Sequence, residues 1–267
     1  MTLKLNMVSY QSVLKILALV GLAGLLAACG GRDTLRYQEK PVTELYDDAL
    51  GYLNGGQYRF AAVAFDEVER QHPYSSWARR AQLMSAYSYY QANKYEEAIL
   101  AAERFISLHP GNKDAAYAYY LIGVCYYEQI TDVRRDQKIT ELALNALAEV
   151  IRRYPRSEYA QDARLKVDLA RDHLAGKEME IGRYYQRIDQ YFAAITRFKN
   201  VVDKYGTTSH VPEALHRLVE AYLALGIIPE AQKSAAVLGH NFGDTEWYRY
   251  SYDLMQEYGG AGLSPKS

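Results

Sequence analysis

Two phrases decide the fold: "GQYRFAAVAF" (56–65) and "NKYEEAILAA" (93–102). The same pattern returns as "DQYFAAITRF" (189–198) and, more loosely, as "GIIPEAQKSA" (226–235). Three downstream junctions are also alike: "RQHPYSSWA" at Pro73, "SLHPGNKDA" at Pro110 and "RRYPRSEYA" at Pro155. Each proline follows an alanine twelve residues earlier, at Ala61, Ala98 and Ala143. Upstream, a small residue precedes a tyrosine by three positions: Ala49/Tyr52, Ala86/Tyr89, Gly123/Tyr126 and Gly182/Tyr185, with Val219/Tyr222 a partial copy. A period of this size marks a repeat array.

The pattern predicts tetratricopeptide-like units, each a helix, a turn and a second helix. Small residues let the two helices approach closely. Phe65, Phe105, Val150, Phe198 and Leu238 then fill the space between units. Proline ends the second helix because the residue before it avoids the helical region. No unit can bury its apolar face alone, so the units stack into a superhelix with a concave side. The expected fold is therefore all-α, a superhelix of five helix pairs at roughly 43–73, 78–110, 115–155, 159–206 and 211–243. The fourth pair opens with a long helix over 159–187. Pro73 to Pro110 spans 37 residues and Pro110 to Pro155 spans 45. The extra eight fall between Tyr126 and Ala143, which predicts an insertion loop. Gly206 and Gly243 stand where the last two prolines would be.

The N-terminus reads differently. Lys4 and Lys15 precede an uncharged apolar run from Ile16 to Leu26, too short to span a bilayer and right for a signal peptide. It ends Leu26-Ala27-Ala28-Cys29, which resembles a bacterial lipobox. That resemblance implies cleavage before Cys29, lipid on its sulfur and α-amine, and, with Gly30 rather than Asp next, export to the outer membrane. Several acyl chains exceed what stable anchoring needs. The expected organisation is a cleaved signal peptide (1–28), a lipidated Cys29 and tether (29–42), repeats one to three (43–155), repeats four and five (156–257) and a disordered tail (258–267).

Composition excludes some functions. The formal net charge is −1. Without residues 1–28, which carry two lysines, 29 basic side chains face 32 acidic ones, a balance of −3. Nucleic-acid binding normally shows as a basic excess. Catalytic motifs are lacking: there is no G-x-S-x-G, phosphate-cradling glycine loop or H-E-x-x-H. His72 and His109 both precede prolines, which suits a turn role. Cys125 sits in the apolar "YYLIGVCYYEQI" and reads as a small buried side chain. Carboxylates in "YDDAL" and "FDEVER" read as solvated helix charge. The chain is expected to be no enzyme and to need no metal or cofactor beyond the covalent lipid. Tyrosine is abundant, 26 against 6 Phe; its ring packs while its hydroxyl stays wet, which suits grooves.

A lipobox followed by five such repeats resembles the BamD/ComL family, the lipoprotein component of the outer-membrane β-barrel assembly machinery. "HPYSSWARRAQLM" (72–84) is similar to its first repeat junction, "TDVRRDQ" (131–137) to its third-repeat insertion, and "YPRSEYAQDARLKVDLARDHLAGKEMEIGRYY" (154–185) to its long helix. The resemblance covers essentially the whole mature chain. It implies a non-enzymatic scaffold facing the periplasm that binds the barrel component and small accessory lipoproteins. It also implies a receptor for unfolded outer-membrane proteins through their C-terminal β-signal. Repeats one to three would face substrate and the last two the partners. A periplasmic tetratricopeptide adaptor coordinating cell-wall synthesis with envelope constriction is the alternative; the sustained heptads of its coiled-coil segment are missing.

Candidate site residues follow. Tyr52, Tyr74, Trp77, Arg80, Tyr89 and Arg135 are candidates for the substrate groove. Trp77 either anchors a peptide or staples repeat one to repeat two. Arg135 either clamps a carboxylate or, with Asp136, braces the loop. On the basic side of repeat four, Arg183, Arg187, Arg197 and Lys199 stand together; the resemblance gives Arg197 a pairing role with an acidic residue of the barrel component, and Arg187 is the second partner-binding candidate.

Overall fold

In the computed structural model, residues 39–133 and 135–260 are described. The described residues from Pro41 onward form one compact unit; the expected signal peptide, the lipidation expected at Cys29 and most of the expected tether fall outside the described residues. The helices are α1 (Val42–Asn54), α2 (Tyr58–Gln71), α3 (Ser76–Gln91), α4 (Tyr95–Leu108), α5 (Ala115–Tyr127), α6 (Lys138–Arg153), α7 (Glu158–Arg187), α8 (Tyr191–Lys204), α9 (Val211–Ala224), α10 (Ile228–Phe242) and α11 (Glu246–Gly260). α1 to α10 pair in sequence as five hairpins, and each second helix packs on the first helix of the next pair. The fold is an all-helical superhelix of the tetratricopeptide type.

The repeat positions are buried where packing demands it. Ala61, Ala98, Ala143, Ala194 and Ala231 are fully buried, as are Phe65, Val150, Phe198 and Leu238, with Phe105 1 % exposed. Fully burying a Phe or Leu contributes roughly 1.5–3 kcal/mol. The helix-helix approach is tight enough to exclude a methyl group in two pairs. A Cβ on Gly182 would lie 2.4 Å from Phe198 Cε1, and one on Gly123 would lie 2.6 Å from Leu147 Cδ2.

Four of the five hairpin turns share one backbone. Gly56, Asn93, Asp189 and Gly226 have φ of 71°, 56°, 58° and 71°. The next residue donates its N–H five residues back: Gln57 to Tyr52 O (2.9 Å), Lys94 to Tyr89 O (2.9 Å), Gln190 to Tyr185 O (2.9 Å) and Ile227 to Tyr222 O (2.8 Å). This is the Schellman ending of an α-helix, and its left-handed residue favours Gly, Asn or Asp. The recurrent tyrosines thus mark the last full turn of each first helix. Repeat three lacks this turn and has the predicted loop over residues 128–137.

At the ends of α2, α4 and α6 the pre-proline residues His72, His109 and Tyr154 take φ of −132°, −134° and −128°. Tyr205 takes −124° before Gly206, without a proline to impose it. The next helix then starts on a common cap: Ser75 Oγ accepts from Ala78 N (3.0 Å) and Ser157 Oγ from Ala160 N (3.2 Å). α7 has 30 residues against 16 in α3; the 14 extra add about 21 Å at 1.5 Å per residue.

One element departs from expectation. α11 is a separate helix after repeat five, and it extends through Gly260, three residues into the stretch read as tail. Residues 261–267 lie outside the described residues. α11 begins as the first helices do: Thr245 N donates to Phe242 O (3.1 Å), matching Ser75 N to His72 O (3.0 Å) and Ser157 N to Tyr154 O (3.0 Å). In α3 the buried Ala86, eleven residues after Ser75, faces its own second helix α4. The corresponding place in α11 is the exposed Gln256, so the array stops there.

Gly182→Ala is expected to destabilise the protein by about 1–3 kcal/mol, the range for overpacking a close contact. Gly51, in α1, has nothing within 4 Å of an added Cβ; Gly51→Ala should instead stabilise by up to about 1 kcal/mol. Urea unfolding midpoints of the two variants should move in opposite directions.

Candidate interaction surfaces

Between α1, α3 and the turn before α5 lies an open cavity of about 570 Å³. Its apolar side is formed by Tyr46, Leu83 and Met84, and its cations are Arg79, Arg80 and Lys113, beside Asp114. Trp77 does not project into it. Its ring packs 4.9 Å from Tyr46, which in turn meets Phe65 edge-on at 5.4 Å. Trp77 therefore staples repeat two to repeat one. The Arg80 guanidinium lies 5.9 Å from the centre of the Trp77 ring, so Trp77 helps to position the arginine over the cavity. Burial pushes the Tyr46 phenol up, against the opposing effect of Arg80.

The other groove candidates are dispersed. Tyr74 is fully exposed on the turn after α2. Tyr52 packs into the first hydrophobic cluster, its ring 5.9 Å from Phe60. The Tyr89 hydroxyl is engaged: it donates to Asp66 Oδ2 at 2.9 Å, and burial and the Asp66 carboxylate push its pKa up. Neither Tyr52 nor Tyr89 lines the cavity. Arg135 is exposed beside a different cavity, with Lys177, Glu178 and Tyr205. The structure does not bring Arg80 and Arg135 to one site.

The reading of helix carboxylates as solvated is overturned at several positions. Asp66 Oδ1 accepts from Ser85 Oγ (2.6 Å), Glu69 accepts from Gln82 Nε2 (2.7 Å), and Arg104 reaches Glu69 at 2.9 Å. His109 Nε2 lies 3.0 Å from Gln82 Oε1. One polar network thus joins α2, α3 and α4. Between repeats three and four, the Tyr120 hydroxyl donates to Asp162 Oδ2 at 2.5 Å. These partners are 27 to 42 residues apart for His109–Gln82 and Tyr120–Asp162, so helix-face patterning missed them; tyrosine abundance was the available signal.

The insertion loop is braced chiefly through Gln137, to which Arg135 contributes its backbone carbonyl, and Asp136 ties the loop to the start of α6. Gln137 Nε2 donates to Val133 O (3.1 Å) and Arg135 O (2.9 Å), while its Oε1 lies 3.1 Å from His173 Nδ1 on α7. Val133 approaches Gly176, where an added Cβ would be 3.6 Å from Val133 Cγ1. Asp136 accepts from Lys138 N at 3.2 Å, at the start of α6.

On repeat four, Arg197 is paired internally, its Nη1 3.3 Å from Glu178 Oε1. Arg183 forks onto both oxygens of Glu213 at 3.0 Å and also bonds Glu180. Arg187 and Lys199 are exposed. Behind this side, Glu220 receives Gln186 Nε2 (2.9 Å) and Arg217 Nη1 (2.8 Å), with His216 Nε2 at 3.5 Å. Burial raises the Glu220 carboxyl, but hydrogen bonds from His216, Gln186 and Arg217 outweigh it and hold the pKa at about 2.

Cys125 is fully buried, and burial pushes its thiol up to about 12, which leaves no reactive thiolate. Among the described residues no group of three His, Cys, Asp or Glu side chains is placed to hold a metal ion. No helix among them is long and apolar enough to cross a membrane.

A helical repeat array with clefts of mixed charge and apolar surface defines a class, the tetratricopeptide-type interaction scaffold. Comparison goes further: residues 38–238 match the YfiO family model, described as outer membrane lipoprotein, and the chain belongs to that family. It is 53% identical over 246 residues to the outer membrane protein assembly factor BamD of Caulobacter vibrioides, covering 91% of this chain and 81% of that one. It is 43% identical over 246 residues to BamD of Rickettsia prowazekii, covering 92% and 97%. Among solved structures, a thermophilic TPR protein of Thermus thermophilus aligns over 80% of this chain and 100% of that one, at 19% identity and a TM-score of 0.37.

The lowered pKa makes Glu220 a source of acid sensitivity. A carboxyl whose folded pKa lies below its ordinary 4.5 contributes stability that is present above about 4.5 and lost as pH falls through about 2. Glu220→Gln should therefore cost roughly 2–3 kcal/mol at pH 7, and the gap from the parent protein should narrow between pH 4.5 and 2. Urea unfolding across that range reads both; a pH-independent gap would contradict the assignment.

Proposed function

We propose that this protein is a non-enzymatic assembly factor for outer-membrane β-barrel proteins, anchored by lipid on Cys29 to the outer membrane and facing the periplasm. Its family membership supports the general role. In this reading the array binds the barrel component and small accessory lipoproteins through repeats four and five and receives unfolded outer-membrane proteins on repeats one to three. No nucleic acid, metal or cofactor enters it.

The observation that carries the receptor reading is the cavity between α1 and α3. Arg79, Arg80 and Lys113 stand over an apolar floor of Tyr46, Leu83 and Met84. An extended peptide ending in an aromatic residue suits that arrangement: its ring covers the floor and its carboxylate meets a guanidinium. The last strand of a barrel alternates apolar and polar residues, so one face can lie on the floor. Ordering the peptide keeps the affinity modest. On the partner side, Arg187 is the more available cation of the two candidates, since Arg197 already holds Glu178.

Photo-crosslinkers test both surfaces at once. One at Arg80 should capture a synthetic peptide with the C-terminal sequence of a barrel protein, and one at Arg187 should capture the barrel component's periplasmic domains. Capture of either partner equally at both positions would defeat the division into two surfaces. Lipid anchoring has its own measurement: Cys29→Ala should leave a folded chain that no longer sediments with membranes when its partners are absent, because the repeats pack without lipid.

A further inference from the structure

We infer that the peptide groove has a second subsite, an acidic and apolar cavity at the far end of α5, which takes a lysine or arginine about six residues before the peptide's C-terminus. In this form, which rests on the receptor reading above, the groove has a direction and a length.

The second cavity, of about 550 Å³, opens where the end of α5, the insertion loop, α7 and the start of α9 meet. Ile130, Val133 and Leu169 give it an apolar side, and Leu169 is 58 % exposed. Its carboxylates are Glu128, exposed just after α5, and Asp172. Asp172 also accepts from Ser209 N at 3.0 Å and lies 3.6 Å from His210 Nε2. The nearby Lys166, whose ammonium stands 5.4 Å from the Tyr127 ring centre, is held by Asp162 at 3.0 Å. The cavity between α1 and α3 has the opposite sign, since Arg79, Arg80 and Lys113 outnumber Asp114.

α5 connects the two cavities. Asp114, just before it, lines the first, and Tyr127 and Glu128, at its end, line the second. The 14 residues from Asp114 to Glu128 span about 21 Å at 1.5 Å per residue. An extended chain covers that length in about six residues. The floor between is aromatic: Arg80, Leu83, Tyr87 and Tyr90 follow one another on α3 at spacings of three and four, which places them on one face. Tyr87 and Tyr90 are half-buried. Burial first, and then the Glu128 carboxylate, push the Tyr90 phenol up. Burial, Asp162 and, more weakly, Tyr90 and Glu128 do the same to Tyr120 on α5. Tyr90, Tyr120 and Glu128 therefore stand together at the far end. A segment whose carboxylate meets Arg80 runs along these tyrosines and brings a side chain about six residues upstream over Leu169 and Glu128. A lysine or arginine suits that place, because its alkyl stem covers the apolar side while its charge reaches the carboxylates. An acidic residue there meets like charge, so the subsite also rejects.

Three synthetic peptides ending in Phe test this by fluorescence anisotropy with the full chain. One carries Lys six residues before its end, one carries Glu there, and one has the Lys moved to three residues before its end. The first should bind about two- to fivefold more tightly than the other two, the range of an exposed ion pair. Glu128→Lys, at an exposed position, should keep its helical content and reverse the order of the first two peptides. Arg80→Glu should weaken all three. Equal binding of the three peptides with Arg80 still required, or an unreversed order in Glu128→Lys, would overturn the second subsite and leave the receptor reading standing. Binding of none of them, or binding indifferent to Arg80→Glu, would overturn the receptor reading and the subsite with it.

Discussion

The closeness of two helices within each hairpin is the constraint from which the rest follows. Where Gly182 meets Phe198, and Gly123 meets Leu147, the backbone of one helix lies directly against a side chain of the other. Elsewhere a fully buried alanine does the same work, at Ala61, Ala98, Ala143 and Ala231. Close-packed contacts of this kind fix position because dispersion falls steeply with a small gap. Each hairpin then presents a fixed pair of faces to the next, and the array grows by repetition rather than around one central core.

Turn geometry makes the repetition regular. Four hairpins reverse through a left-handed residue and the same backbone hydrogen bond to a tyrosine carbonyl. Repeat three gives up this turn, and its loop is held by Gln137 against His173 on α7. α7 is long enough to serve both sides of that interruption. Its Ala163 and Val167 pack with Leu147 and Val150 of repeat three, and its Ala175 and Met179 with Phe198 and Leu215 of repeats four and five. One uninterrupted helix therefore carries the register across the insertion.

The interaction surfaces are what this packing leaves over. Several aromatic rings, which as a class suit binding, are spent on joining neighbouring units: Trp77 on Tyr46, Tyr89 on Asp66, Tyr120 on Asp162, and Trp247 of α11 on His216 of repeat five. Arg197 is likewise engaged with Glu178. Arg79, Arg80 and Lys113, beside Leu83 and Met84, remain open to solvent in a concave site.

The sequence by itself determined the helical class, the five hairpins, the place of the insertion and the long helix, because each depends on residues close together in the chain: an alanine twelve places before a proline, a tyrosine three places after a small residue. Burial of Phe65, Phe198 and Cys125 was legible for the same reason. Only the tertiary structure decided what the polar side chains do. Asp66 and Tyr89 are 23 residues apart, and Arg197 and Glu178 are 19 apart; a periodic pattern tells which face of a helix is apolar, but not which polar group on a neighbouring helix stands opposite. The separation of Arg80 from Arg135, and the use of α11 to cover the last repeat, were hidden for that reason. They depend on how successive repeats stack in space, and that stacking is set by contacts between residues far apart in the chain.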